Sequence, residues 1–89
     1  MLHMFCLLDS TVGEYLAPIF YASEAAAKRA LLSIIKSDLE SILSKFPADF
    51  SLHYLGHFDP KTGDIQPCTH PVHICRLDEL LTTGVKSDG

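Results

Sequence analysis

Apolar and polar positions alternate most clearly from Phe50 to Phe58, in FSLHYLGHF. Phe50, Leu52, Tyr54 and Phe58 fall on one side of an extended chain, with Gly56 in their row. Ser51, His53 and His57 fall on the other, joined by Leu55. A period of two predicts a strand with one face on a core and a half-solvated outer face. Asp59-Pro60-Lys61-Thr62-Gly63 follows. Aspartate can bond its own backbone in a turn, proline presets φ, and glycine accepts positive φ. The stretch therefore predicts a hairpin, with a return strand from Asp64 to Cys68 that Pro67 weakens.

Met1 to Leu8 is nearly all apolar. Leu2, Met4, Cys6 and Leu8 share one face; Phe5 and Leu7 lie on the other with His3. Apolar groups on both sides predict a strand covered on both faces. Asp9 to Gly13 reads as a turn. Glu14 to Ala22 is a second strand. Pro18 has no ladder N–H to give, so this strand lies at an edge or is bulged there. By alternation Leu16 and Phe20 face one way; Tyr15, Ala17 and Ile19 face the other.

The period then becomes helical. Ser23 is a good N-cap, Glu24 suits the first turn, and Ala25, Ala26 and Ala27 favour helix. Leu31, Ile34, Ile35, Leu39, Ile42, Leu43 and Phe46 form an apolar arc. Arg29, Ser33, Lys36 and Glu40 form the wet stripe opposite. Asp38 lands inside the apolar arc, where a carboxylate is costly. Ser37-Asp38-Leu39-Glu40 also has the form of a capping box. These predict a helix interrupted near Ser37 that restarts, with one continuous helix as the alternative. Pro47 ends the run. Beyond the hairpin, Thr69 to Pro71 reads as a loop, and Val72 opens an extended stretch that turns helical from about Arg76 to Leu81.

The sum is a single α+β domain over residues 1–81. It is a small antiparallel sheet of about four strands in ββαββ order, with one interrupted helix packed on one face. Residues 82–89 read as a flexible polar tail.

Length and charge narrow the function. Eighty-nine residues bury a modest core, and many domains of that size lean on a partner. Seven Lys and Arg against eleven Asp and Glu give a net charge of −4, which repels a phosphate backbone at long range. The three cysteines are odd in number, and the N-terminal apolar run has no basic region before it. No segment approaches the ~20 apolar residues of a membrane helix. A reduced, cytoplasmic protein with buried thiols is expected. There is no P-loop and no dinucleotide fingerprint, and no cofactor is expected.

Cys68, His70, His73 and Cys75 bring zinc-type ligands into one short segment. Structural zinc sites draw ligands from two separated knuckles. On an extended chain Cys68 and His70 face one way while His73 and Cys75 face the other. The expectation is no metal site, with buried thiols and surface imidazoles in its place. Ser51, His53 and His57 share a strand face, but no orienting acid or nucleophile motif accompanies them. Cys6 lies in an apolar strand without a basic neighbour, as an inert thiol does.

For nucleic acid the candidates are Lys28, Arg29 and Lys36 on the helix and Tyr54 on its strand, since single-strand binders pair cations with aromatic platforms. Partner burial has more behind it. The first two strands are apolar on both faces, and only one helical element is available to cover them. A second copy would cover the remainder through Phe5, Leu7, Tyr15, Ala17 and Ile19, as a homodimer or a higher even oligomer.

These pieces together resemble the small nonstructural protein of gokushovirus-like Microviridae, bacteriophages with single-stranded DNA genomes. The matching residues are Asp9-Ser10 with Val12-Gly13, then Pro18 and Phe20-Tyr21-Ala22. Ala25, Ala30, Asp38, Glu40-Ser41 and Phe46-Pro47-Ala48-Asp49-Phe50 follow. The last are Leu55-Gly56-His57-Phe58-Asp59 and Thr62-Gly63. The order is more specific than any one piece. The Cys68–Cys75 cluster departs from the family pattern, and so does Leu39, where the family often has proline after the aspartate. The resemblance implies a nonstructural protein, not an enzyme, acting in the infected bacterial cytoplasm. It implies a role in viral DNA replication or single-stranded DNA synthesis, possible contact with single-stranded DNA, and no catalytic residues. The alternative is a protein-interaction module that binds a phage or host replication factor and never touches DNA.

Overall fold

A computed structural model of the chain describes residues 1–82. Five strands and three helices follow in the order β1 (Leu2–Asp9), β2 (Glu14–Tyr15), β3 (Ile19–Tyr21), α1 (Glu24–Ser37), α2 (Ile42–Lys45), β4 (Phe50–Phe58), β5 (Ile65–Arg76) and α3 (Glu79–Thr82). A single 3₁₀ turn, Pro47–Asp49, leads into β4. The architecture is α+β, with one curled antiparallel sheet. β1 and β4 are its central pair, β5 lies beyond β4, and β2 and β3 share the other side of β1. Most of the expected tail, residues 83–89, lies outside the described residues. Among the described residues no helix is long and apolar enough to cross a membrane.

The expected second strand is two short ones. The break falls at Leu16–Pro18, where proline interrupts the ladder, and both pieces pair with β1 along one edge. The two turns form through the residues that predicted them. Asp9 Oδ1 accepts from the Thr11 N–H, and the Gly13 N–H donates to the Asp9 carbonyl at 2.8 Å. In the hairpin Asp59 Oδ1 accepts from the Lys61 N–H, and Gly63 takes φ +81°.

α1 starts where Ser23 Oγ accepts from the Ala26 N–H and Glu24 meets the dipole. It stops at Ser37, with Asp38 as its C-cap, and the chain restarts as α2. The helix is thus interrupted where Asp38 predicted. The cap of the restart is Ser41 rather than Ser37; the Ser37 hydroxyl instead donates back to the Ser33 carbonyl. Ser44 Oγ lies within 3.2 Å of the carbonyls of Ile34, Ile35 and Asp38 at the end of α1; the Ile34 and Asp38 carbonyls also accept from the Asp38 and Ser41 N–H groups.

All three helices lie on one side of the sheet, called here the helix face. Ala27, Leu31 and Ile35, four residues apart on α1, meet Phe5 and Leu7 of β1, Phe50 and Leu52 of β4, Cys75 of β5, and Leu77 and Leu80. Phe5 and Leu7, expected at a dimer interface, are therefore the centre of the chain's own core. Phe5 is 0% exposed. Leu39, Ile42 and Phe46, expected in the buried arc, stay exposed because the break at Asp38 turns them off the sheet.

The strand faces also differ from simple alternation. Tyr54 pairs with Phe5 and Gly56 with Met4, so Leu55 is an extra residue in β4. Such a bulge reverses the facing of everything beyond it. Directly paired residues share a face, so Phe58, paired with Leu2, lies opposite to Phe50 and Leu52. His57, paired with His3, joins the helix face and leaves His53 behind on the other. β5 is longer than expected. It continues through Thr69–Pro71, because the four residues from Cys68 to Pro71 bulge out against Leu55 alone. Proline is tolerated at such an edge.

Candidate functional site

The face of the sheet away from the helices, the open face, is built by pairing. Leu2, Met4, Cys6 and Leu8 of β1 bring Phe58, Gly56, His53 and Ser51 of β4 beside them. Phe20 pairs with Met4 and Tyr15 with Leu8. On β5, His73 pairs with His53 and Ile65 with Phe58. Met4, Cys6 and His53 are buried here, outside the core cluster under the helices. Around them stand exposed apolar side chains: Leu2, Tyr15 and Phe20 (each of the last two 48% exposed) and Ile65 at 57%. No Asp, Glu or Lys occupies any of these paired positions. Arg76, beside Ser51 at the end of β5, is held by Asp78 at 2.9 Å.

His53 is 7% exposed. Its Nε2 is 2.8 Å from the Ser51 hydroxyl, and its buried Nδ1 has no hydrogen-bond partner. Tyr15 and His73 each meet its ring edge to face. The Ser51–His53 contact resembles half of a nucleophile–base pair. An orienting acid would bond Nδ1, and that position is vacant. His57, grouped with it by alternation, is across the sheet beside His3, at a ring distance of 6.3 Å.

Burial holds the His53 imidazole below its ordinary value of 6.5, and the charge of His73 adds to this. As pH falls, the unfolded chain takes up this proton before the folded one does. The contribution to stability is whole above pH 6.5 and is lost as pH falls through the lowered folded value. Urea midpoints at pH 8 and pH 5.5 are therefore expected to differ more for the native chain than for His53→Gln. Equal differences would remove His53 as the source.

The cysteine and histidine candidates are dispersed. Cys75 points into the core, and burial pushes its thiol up, as it does that of Cys6; both are inert at neutral pH. His73 is on the open face, and Cys68 and His70 lie on the bulged part of β5. Among the described residues no three His, Cys, Asp or Glu gather in a group able to hold a metal ion.

The nucleic-acid candidates are likewise apart. Lys28 pairs with Glu24 at 2.9 Å. Tyr54 is half-buried; its ring meets Phe5 edge-on and its hydroxyl is 2.8 Å from His3 Nδ1. Burial pushes its phenol up, and nearby Cys68 adds to this. Arg29 and Lys36 are exposed on the outer stripe of α1, away from Tyr54. Of the interface candidates, Ile19 packs on the core while Tyr15 is on the open face, because the break at Pro18 separates their facing. Ala17 is exposed within that break.

Cavities on the helix side include two lined by described residues. One of about 280 Å³ is lined by His3, Phe5, Ser23, Glu24 and Tyr54. One of about 170 Å³ is lined by Asp9, Thr11, Ile42, Phe46, Asp49 and Phe50. Neither includes Ser51 or His53. Alternation missed Leu2, Phe20, Phe58 and Ile65 as one surface. The available signal was Gly56, since glycine inside a strand marks a bulge.

The chain is a small α+β protein with one antiparallel sheet and its helices on one side. It belongs to the family described as Phage ORF5 protein, whose model matches residues 2–80. No curated protein and no solved structure matches the chain.

Proposed function

We propose that this phage protein is a non-enzymatic accessory of viral DNA replication that works through contacts with other proteins rather than by coating single-stranded DNA. The observation that carries this reading is the mismatch between its charge and its aromatics. Tyr54, the candidate stacking platform, is engaged by His3 and Phe5, and Lys28 by Glu24, while the paired positions of the open face hold no Lys and their one Arg, Arg76, is held by Asp78. Stacking on bases needs an aromatic face beside a cationic groove. The net charge of −4 opposes phosphate further. The place in replication, within the infected cell's cytoplasm, rests on the resemblance to the nonstructural protein of gokushovirus-like Microviridae.

The second reading keeps single-stranded DNA on α1, where Arg29 and Lys36 are exposed and outside the ion pairs of the described residues. Fluorescence anisotropy with a strand of ~30 nucleotides separates the two, because phosphate contacts weaken steeply with salt. No binding at low salt is expected. A steeply salt-dependent affinity that Arg29→Glu with Lys36→Glu reduces would establish the DNA reading instead.

A further inference from the structure

We infer that the open face of the sheet is where a second copy of this chain packs, face to face about a two-fold axis. The inference rests on the reading above that the protein works through protein contacts, and it names one of the partners. Four observations carry it.

The first is extent. Tyr15 and Phe20 are half exposed, Ile65 more than half, and Leu2 joins them across β1, β2, β3 and β5. Half-buried Leu8 and Phe58 share this face, and apolar side chains exposed together mark an interface once the patch reaches roughly several hundred Å². Pairing two such faces buries on the order of 1,000 Å² in total, enough for a specific interface.

The second is charge. A chain of net charge −4 repels its own copy unless the contact lies away from the carboxylates. The open face is where they are absent, apart from the Arg76–Asp78 pair at its rim. A two-fold axis sets the same patch against itself, so an uncharged apolar patch is self-complementary. A basic or acidic partner would find nothing there to pair with.

The third is the edges. Self-association of a sheet protein can also run edge to edge. Here both edges carry prolines: Pro18 between β2 and β3, and Pro67 and Pro71 on β5. Each leaves its edge one N–H short, which disfavours a continuous edge-to-edge ladder and leaves face packing untouched.

The fourth is His53. A histidine this buried, with Nδ1 unpartnered, lies under the half-exposed ring of Tyr15 and the exposed ring of His73. A second copy would cover the rings of Tyr15 and His73 that roof this buried imidazole and are themselves left exposed.

Sedimentation equilibrium at 5–100 μM protein (roughly the range over which transient dimers dissociate) tests this on the full chain. Twice the chain mass is expected for the native protein. Phe20→Lys and Ile65→Lys should each weaken dimerisation at least tenfold, with circular dichroism unchanged. Phe46→Lys, on the exposed apolar side of α2, should leave it intact. Two variants are used because Phe20 is part of a strand, whereas Ile65 starts β5 next to the turn. A native chain that is monomeric at 100 μM overturns the inference. So does a dimer that survives both open-face variants, or one that Phe46→Lys dissolves. These outcomes are independent of the anisotropy experiment: a monomer that ignores DNA leaves the protein-contact reading standing, and a dimer that binds DNA removes that reading while keeping this one.

Discussion

Gly56→Ala is expected to unfold the protein at moderate temperature. Gly56 sits just past the bulge at Leu55, with φ +137°, a conformation that side-chain-bearing residues rarely adopt. A methyl group there would lie 2.8 Å from Pro67 Cα and closer still to the Gln66 carbonyl oxygen. Both obstacles are backbone of the neighbouring strand, so neither can swing aside as a flexible side chain could. β4 would have to separate from β5 or lose the bulge, and losing the bulge would reverse the facing of Phe58. The cost is at least about 3 kcal/mol, or a fall in Tm of roughly 15 °C or more for a domain of this size. Total stability is only ~5–15 kcal/mol. Gly63→Ala is the control. Its φ is +81°, but nothing stands within reach of the added methyl group, and about 1 kcal/mol is expected. Thermal melts of the two variants side by side would test this; equal losses would mean that the bulge is not closely packed.

Phe5→Ala is expected to cost about 3–5 kcal/mol, the range for emptying a large aromatic from a core. Phe5 is wholly buried; Ile19 and Tyr54 are its cross-strand neighbours, and it shares a core cluster with α1. Removing it leaves a void between sheet and helix that a curled, bulged sheet cannot close by sliding. Leu39→Ala makes the contrast. Leu39 is 67% exposed in the turn between α1 and α2, and a change within about 0.5 kcal/mol is expected. Urea denaturation of both variants measures the difference. A small loss at Phe5 would return it to the surface, where the apolar pattern of β1 had placed it.

That reversal shows what period-two reading can and cannot do. It found β1 and β4 and the turns at Asp59 and Asp9, because these depend on residues adjacent in the chain. The break at Asp38 was also legible, since one misplaced carboxylate marks it. The facing of strands was less so. Alternation counts residues, while facing depends on register, and one extra residue at Leu55 sent Phe58 and His57 to opposite sides from those expected. The two-sided apolar character of β1 predicted cover on both faces, but it could not say which face the helix takes. Phe5 and Leu7 went under α1, so the open face belongs to Leu2, Met4, Cys6 and Leu8. Pro67 argued for a weakened return strand, and Thr69 to Pro71 for a loop, because proline is costly in a central strand. At an edge that cost is small, and β5 runs through both.

The central pairing of β1 with β4 also sets an order of events at birth. Leu2 pairs with Phe58, and Met4 with Gly56, across the whole of the helical segment. β4 and β5, joined by a tight turn, can close locally, and so can β1 with β2 and β3; joining β1 to β4 is the long-range step. At ~5–20 residues per second, a nascent chain carries the β4-facing edge of β1 unpaired for several seconds before β4 leaves the ribosome. For that interval the most apolar stretch of the protein has only the short β2 and β3 beside it, and its other edge is open. The crowded, rapid synthesis of a phage infection is where that delay would matter most.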